Sequence, residues 1–322
     1  MTHPMTPGEA REFGALVTAL RPRERRAERR VALIHEGGGM RAAFGAGVFS
    51  GFLDEGLHAE AFDGIFGVSA GALNTMYWVS ENRGGPRVYE EDILEREHTP
   101  FFLFGGPLDL AYRLARGRPA IDLRAVAHIM EVARPLDVHR VKSLAVPVWF
   151  PVMDARKLQT EFIDARTLPE SMLVPMLVAA SSVPALADAF EIEQSAFIDG
   201  ACGAPLPIDE AIRRGFNDLV VVLNLPEHLD ANWYEPFVLR LLAARRGLSP
   251  ELPRIVRQAR LTRRAALHSL RHMPGDVRVT IIAPPEMPGR VLERELEVVR
   301  RSVRFGEERG RGAVRRAKEL AV

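Results

Sequence analysis

The chain is nearly without the residues that staple small secreted folds. Cysteine occurs once, at Cys202, so no intrachain disulfide can form, which fits a reducing compartment. Lysine is almost missing: Lys142, Lys157 and Lys318 are the only ones, against a combined Lys and Arg count of 43. That imbalance reads as GC-rich coding rather than as function. Net charge is +1, so no global field favours nucleic acid, and none is expected as a partner. There is no H-E-x-x-H, no paired cysteine and no Asp-rich calcium loop, so no metal site and no cofactor are expected. No uninterrupted apolar run reaches the roughly 18 residues that a spanning helix needs. The first thirty residues lack the order of a signal peptide, because their charge follows a short apolar patch. The expected location is cytoplasmic, with peripheral membrane contact as an option.

What the chain does have is core. Of its 322 residues, 47% are hydrophobic, enough for one large α/β domain or two ordinary ones, and one is favoured because the last strand and helix can complete the same sheet. Residues 1–30 read as a basic helical arm ending in "RPRERRAERR", a solvated extension unless it meets anionic lipid or an acidic partner. From Val31 the pattern alternates. "VALIH" suits a buried strand, Met40 to Gly56 a helix, "FDGIFG" a second strand, and "SAGALNTMYWVSEN" the helix after it. Such alternation predicts a sheet with helices on both faces. Gly45, Gly47 and Gly51 weaken their helix by about 1 kcal/mol each, so close backbone packing is expected there. Residues 84–140 read as an inserted helical region with an aromatic cluster at Phe101, Phe102 and Phe104. "LAVPVWFPVMDA" and "TEFID" resemble a strand pair. Helices are expected near 173–180, 235–246, 253–272 and from Val291 onward, with strands at "DLVVVLN" and "VRVTIIAP".

Two glycine-rich turns carry the chemistry. Gly67-Val68-Ser69-Ala70-Gly71 is G-x-S-x-G between a strand and a helix, the setting of a nucleophile elbow. The small residues let strand and helix crowd around an exposed hydroxyl, and the helix N-terminus favours negative charge. Alone, the motif also fits a structural turn. Upstream, "HEGGGMRA" satisfies G-x-G-x-x-A, a dinucleotide fingerprint. That reading requires an acid at the end of the next strand. The strand instead ends at Gly67, and Asp54 and Glu55 precede it. An oxyanion hole accounts for both turns together. Gly37, Gly38 and Gly39 let amides converge on one point beside Ser69, and Arg41 adds charge or anchors the loop.

A serine needs a base. After Ser69 the histidines are His98, His128, His139, His228, His268 and His272. His268 and His272 suit surface or cap roles, and His35 a structural one. His228 after "NLPE" is the plausible triad position. Asp199 in "FIDGA" is the better candidate, because Asp-Gly can turn a carboxylate out of a strand end and partial burial can raise its pKa.

In this order, "EGGGMRA", "GVSAG" and "DGA" resemble the patatin-like phospholipase family, with about 130 residues between serine and aspartate. Further resemblance lies in "GALN", "ARTLPESMLVPMLVAASSVPAL" and "PLPIDEAIRRGFNDLVVVLN". It covers Val31 to Leu225, and the remainder looks like a bacterial subgroup with a helical tail. The resemblance implies a three-layer α/β/α sandwich with a mostly parallel central sheet. After the basic arm of 1–30, a hydrolase domain is expected over 31–322, with the motifs in 31–225 and an extension over 226–322. It also implies a Ser–Asp dyad: Ser69 attacks a lipid ester, Asp199 takes and returns the proton, and the Gly37–Gly39 loop with Arg41 holds the oxyanion. Two positions depart from the pattern: Glu36 stands where Asp is common, and Ala42 where Gly is common. Thr99–Leu108 is the candidate lid or interfacial patch, and the Arg-rich stretch 254–273 is either a solvated helix face or a contact for anionic lipid. Two alternatives stand beside this reading: an α/β-hydrolase with a histidine triad, and a non-catalytic nucleotide- or anion-binding module. The sequence does not give an oligomeric state.

Overall fold

The computed structural model describes residues 7–321 apart from 27, 96–99, 185, 193, 230–248 and 272–275. His98, Thr99, His272 and the helix expected at 235–246 lie outside the described residues. The chain begins with α1 (Pro7–Leu20). It continues through β1 (Val31–His35), α2 (Ala43–Asp54), β2 (Gly64–Gly67) and α3 (Ala70–Val79). The helical excursion holds α4 (Gly85–Arg87), α5 (Pro107–Ala115), α6 (Leu123–His128) and α7 (Val138–Ser143). Next come β3 (Val148–Asp154), β4 (Gln159–Asp164), α8 (Glu170–Ala179), β5 (Phe190–Ile192) and β6 (Ser195–Asp199). The last elements are α9 (Ile208–Arg213), β7 (Asp218–Val222), α10 (Leu252–Arg271), β8 (Arg278–Ile282) and α11 (Leu296–Ala321).

Among the described residues the strands form one sheet in the order β5-β6-β3-β2-β1-β7-β8, with β4 paired to β3. The pairings from β3 through β2, β1 and β7 to β8 are parallel, and β4, β5 and β6 are antiparallel to their neighbours. Strand alternation divides the core. Ala32, Ile34, Phe66, Leu219 and Val221 pack with Ile208 and Ala211 of α9 and with Ala266, Leu267 and Leu270 of α10. Val31, Leu33, Ile65, Val220 and Val222 face the other way, toward α1, α2, α3 and α11. The result is the expected α/β/α sandwich. Each fully buried Val, Leu or Ile contributes about 1.5–3 kcal/mol.

The glycines of α2 serve the close approach expected of them. A Cβ on Gly47 would lie 2.2 Å from the Val303 carbonyl, and one on Gly51 2.5 Å from that of Glu307. The contact is reciprocal: Gly306 and Gly310 of α11 would meet Phe44 O at 2.0 Å and Val48 O at 2.4 Å. Two backbones touch, so α11 is a layer of the core, and β8 completes the parallel sheet beside β7.

The amino-terminal arm is not the solvated extension that its charge suggests. Leu16 and Val17 of α1 are buried, and the Leu16 amide donates to Thr280 of β8. Arg26 is also buried, donating to the Ala19 carbonyl and to Asp63, and Arg29 pairs with Asp218. Intrachain partners absorb these charges. Among the described residues no helix is long and apolar enough to cross a membrane.

One register detail places the site. Phe66 of β2 pairs with Trp149 of β3, and Asp199 of β6 pairs with Val152 on the same strand. β2 runs along β3 from one end and β6 from the other, and their carboxyl ends meet near Pro151. Proline has no amide to donate, and a central strand tolerates it only where the ladder is interrupted. Gly200 is needed at this junction too, because a Cβ there would lie 2.1 Å from Pro151 O.

Candidate active site

Ser69 sits where β2 turns into α3, with φ 54° and ψ −131°. That region is strained for a residue with a Cβ, as an elbow requires. The flanking glycines permit it. A Cβ on Gly67 would meet Ala72 Cα at 2.7 Å, and one on Gly71 would meet Glu36 O at 2.4 Å. Ser69 is buried, and its Oγ donates to Asp199 Oδ2 at 2.5 Å. The other carboxylate oxygen accepts from the Ala201 amide at 2.7 Å. Burial raises the Asp199 pKa from the ordinary 3.8 to about 6, against the hydrogen bonds from Ser69 and Ala201 that lower it. Such a carboxylate is largely ionised at neutral pH yet basic enough to accept a proton.

The glycine loop lies directly over the serine. A Cβ on Gly37 would come within 2.9 Å of Ser69 Cβ. Among the described residues, neither the Gly37 nor the Gly38 amide donates to a backbone acceptor, whereas that of Met40 goes to Val291 O at 3.0 Å. Gly39 has φ 58°, and a Cβ there would strike Val291 O at 2.7 Å. Arg41 is buried behind the loop, with Nε 3.4 Å from Gly38 O. Burial lowers its pKa to about 10, opposed by Glu36, so the guanidinium stays charged at neutral pH. Ala42 takes ordinary helical angles, φ −68° and ψ −3°, so its methyl group causes no strain.

The departure at Glu36 has a physical counterpart. Its longer arm reaches Arg263 of α10, Oε1 to Nε 2.5 Å, and both side chains are buried. The Asn224 amide donates to Glu36 Oε2, and the Asn224 side chain donates to the carbonyls of Glu36 and Gly37. Sequence reasoning missed both partners. Arg263 sits in a stretch that reads as a solvated basic face, yet it is inside. Asn224 did carry a signal: a polar residue closing an apolar strand run at the edge where Ser69 lies.

Among the described residues no histidine side chain bonds to Ser69 or Asp199. His35 is fully buried behind the elbow, between Gly71 O at 3.1 Å and Asn224 at 3.2 Å. Burial lowers its pKa to about 4, so it stays neutral and structural. His228 borders a different surface groove, beside Pro226 and Thr280.

Ser69 opens into an apolar cavity. Its walls include Leu73, Val88, Ile93, Val126 and Met130, with Phe101 and Ile121 from the excursion and Val291 and Leu292 from the loop before α11. Phe101, Phe102 and Phe104 stack edge to face, and Phe101 alone of the three lines the cavity. Within the described part of the candidate lid, 100–108, Phe101 is cavity wall and Leu108 is surface. Among the described residues no group of acidic, His or Cys side chains is arranged to hold a metal ion.

Fold and site converge on one class of protein. The family model for patatin-like phospholipases matches residues 33–212, more than half of the chain, and the chain belongs to that family. Membership implies a lipid acyl hydrolase. A protein of Escherichia coli, the uncharacterized YjjU, is 28% identical over 263 residues, spanning 80% of this chain and 69% of its own. The structure of human GIVD cytosolic phospholipase A2 with methyl gamma-linolenyl fluorophosphonate aligns at a TM-score of 0.51 and 13% identity. It covers 98% of this chain and 65% of that one, and at this identity it shows the fold. VipD from Legionella pneumophila aligns at a TM-score of 0.44 and 11% identity, over 89% of this chain and 67% of that one.

Proposed function

We propose that this protein cleaves carboxylic esters of lipids, in the manner of a phospholipase A, lysophospholipase or esterase, through Ser69 and Asp199. The observation that carries the reading is the 2.5 Å contact of Ser69 Oγ with the buried Asp199 carboxylate at the edge of an apolar cavity. Asp199 takes the serine proton as Oγ attacks the ester carbonyl. The tetrahedral oxyanion is held by amides of the Gly37–Gly39 loop, with Arg41 anchoring that loop from behind. Asp199 returns the proton to the leaving alcohol. Water, deprotonated by the same carboxylate, then releases the fatty acid from the acyl-enzyme. The chain supplies nucleophile, base and oxyanion donors, so the reading needs neither a metal ion nor a cofactor. The apolar walls suit an acyl chain.

The test is covalent. A fluorophosphonate probe is expected to label Ser69, with labelling lost in Ser69→Ala. Ester turnover is expected to vanish in Ser69→Ala and Asp199→Asn, to survive in His228→Ala, and to be insensitive to a chelator. Labelling at another residue, or full activity in Asp199→Asn, would sink the dyad.

A further inference from the structure

Helix α5 has its apolar residues on the wrong side for a solvated surface helix. Leu108, Ala111, Tyr112 and Ala115 follow helical spacing along one face, and all four are exposed. Leu108 is 88% exposed and Tyr112 50%, which no inward packing explains. The opposite face is already satisfied: Leu110 and Leu114 are half-buried, and Leu114 packs on the cluster around Met153. The helix is thus anchored by one apolar face and presents another.

Along the helix and just after it, Arg113, Arg116 and Arg118 stand against one acid, Asp109. Asp109 sits at the side of that face and is engaged by Arg113 and by the Gly105 amide. Arg116 lies over the Tyr112 ring at 5.4 Å, and both Arg116 and Arg118 are exposed. An apolar stripe bordered by arginines is the pattern of a helix that lies in a lipid–water boundary, beside anionic headgroups.

Position supplies the third argument. α5 is the tip of an excursion whose two stems are paired: the Leu103 amide donates to Ala120 O at 2.8 Å and the Asp122 amide to Phe101 O at 2.9 Å. Those stems place Phe101 and Ile121 in the wall of the Ser69 cavity. Arg294 pins the near stem, with its guanidinium over Phe102 and Phe104 and Nη1 donating to Phe104 O at 3.0 Å. The tip is held against the body while its apolar face points away.

We propose that the outer face of α5 docks on an anionic lipid surface and brings the cavity mouth to its substrate. This rests on the lipid-ester reading, and the experiment separates the two. Binding is measured in a Ser69→Ala background, where turnover plays no part, on vesicles of phosphatidylcholine with or without about 30 mol% phosphatidylglycerol. Because Cys202 is the single cysteine and is buried, Leu108→Cys can carry one environment-sensitive dye. Its emission is expected to shift to the blue on the anionic vesicles. Leu108→Asp with Tyr112→Asp is expected to weaken binding at least ~10-fold, and Arg116→Glu with Arg118→Glu to remove the preference for phosphatidylglycerol. Turnover of a soluble short-chain ester should be unchanged in both pairs when Ser69 is present. Failure of wild-type protein to bind either vesicle overturns the proposal, as does unchanged binding in the Leu108/Tyr112 variant. So does a wild-type dimer that this variant converts to monomer without affecting vesicle binding, since the face would then belong to a second copy. Loss of soluble-ester turnover in wild type, with vesicle binding intact, would instead count against the Ser69–Asp199 reading.

Discussion

Arg263 and Glu36 form an ion pair sealed from solvent behind the glycine loop, although 227 residues separate them in the chain. Glu36 is committed on its other oxygen to the Asn224 amide, and Arg263 donates Nη1 to Leu229 O at 2.9 Å. The pair therefore ties α10, β1 and the end of β7 to one point. Removing the arginine alone leaves a buried carboxylate without its counter-ion, which costs about 3–5 kcal/mol. Arg263→Met should lower the denaturation midpoint sharply, and adding Glu36→Gln should recover most of the loss. A double-mutant cycle in chemical denaturation measures the coupling, and a coupling near zero would refute the sealed pair.

Catalysis is expected to depend on pH through Asp199. The pKa of its carboxyl is raised to about 6, with burial as the leading cause. Below that value the base is protonated. For a soluble ester, kcat/KM should rise through about pH 6 and level off above about pH 7. The same profile is expected in His228→Ala. A limb that moves with a histidine substitution would transfer the role of base to an imidazole.

The same burial has a consequence for stability. A carboxyl pKa raised from 3.8 to about 6 means that the folded state holds the proton more tightly than the unfolded chain. Its stabilising contribution is whole below about pH 4 and is lost as pH rises through about 6. Near pH 8 the ionised group thus weakens the fold by up to about 3 kcal/mol. Asp199→Asn, expected to be inactive under the proposed dyad, should melt higher than wild type at about pH 8, with the gap closing toward about pH 4. Equal melting temperatures at both pH values would mean that Asp199 is more hydrated than its surroundings indicate.

The legible parts of this protein are those whose constraint is local. G-x-S-x-G around Ser69 states its own sterics, since each glycine lies where a Cβ would strike backbone. The strand alternation of Val31–His35 and Asp218–Val222 states which side chains face which helices. Arg263 was not legible, because helical spacing assigns it to a polar face and only the distant Glu36 makes burial tolerable. The arm of residues 1–30 misled for the same reason. Its arginines look solvated until Asp63 and Asp218, brought alongside by the sheet, take up Arg26 and Arg29. The stretch that holds Pro151 reads as a strand, with no hint that two others end against that proline.

Two glycines of α11 make a matched test of the seam against α2. Gly306 has no room: a Cβ would lie 2.0 Å from Phe44 O, in a backbone that cannot yield without separating the helices. Gly312, six residues on in the same helix, has nothing within 4 Å of an added Cβ. Alanine favours a helix over glycine by about 1 kcal/mol where space allows. Gly312→Ala should therefore stabilise by up to about 1 kcal/mol, while Gly306→Ala should destabilise by about 1–3 kcal/mol or more through overpacking. Chemical denaturation of the two variants gives the sign directly. If Gly306→Ala were as stable as Gly312→Ala, the backbones of α2 and α11 would have to stand farther apart than the contact between Gly306 and Phe44 requires.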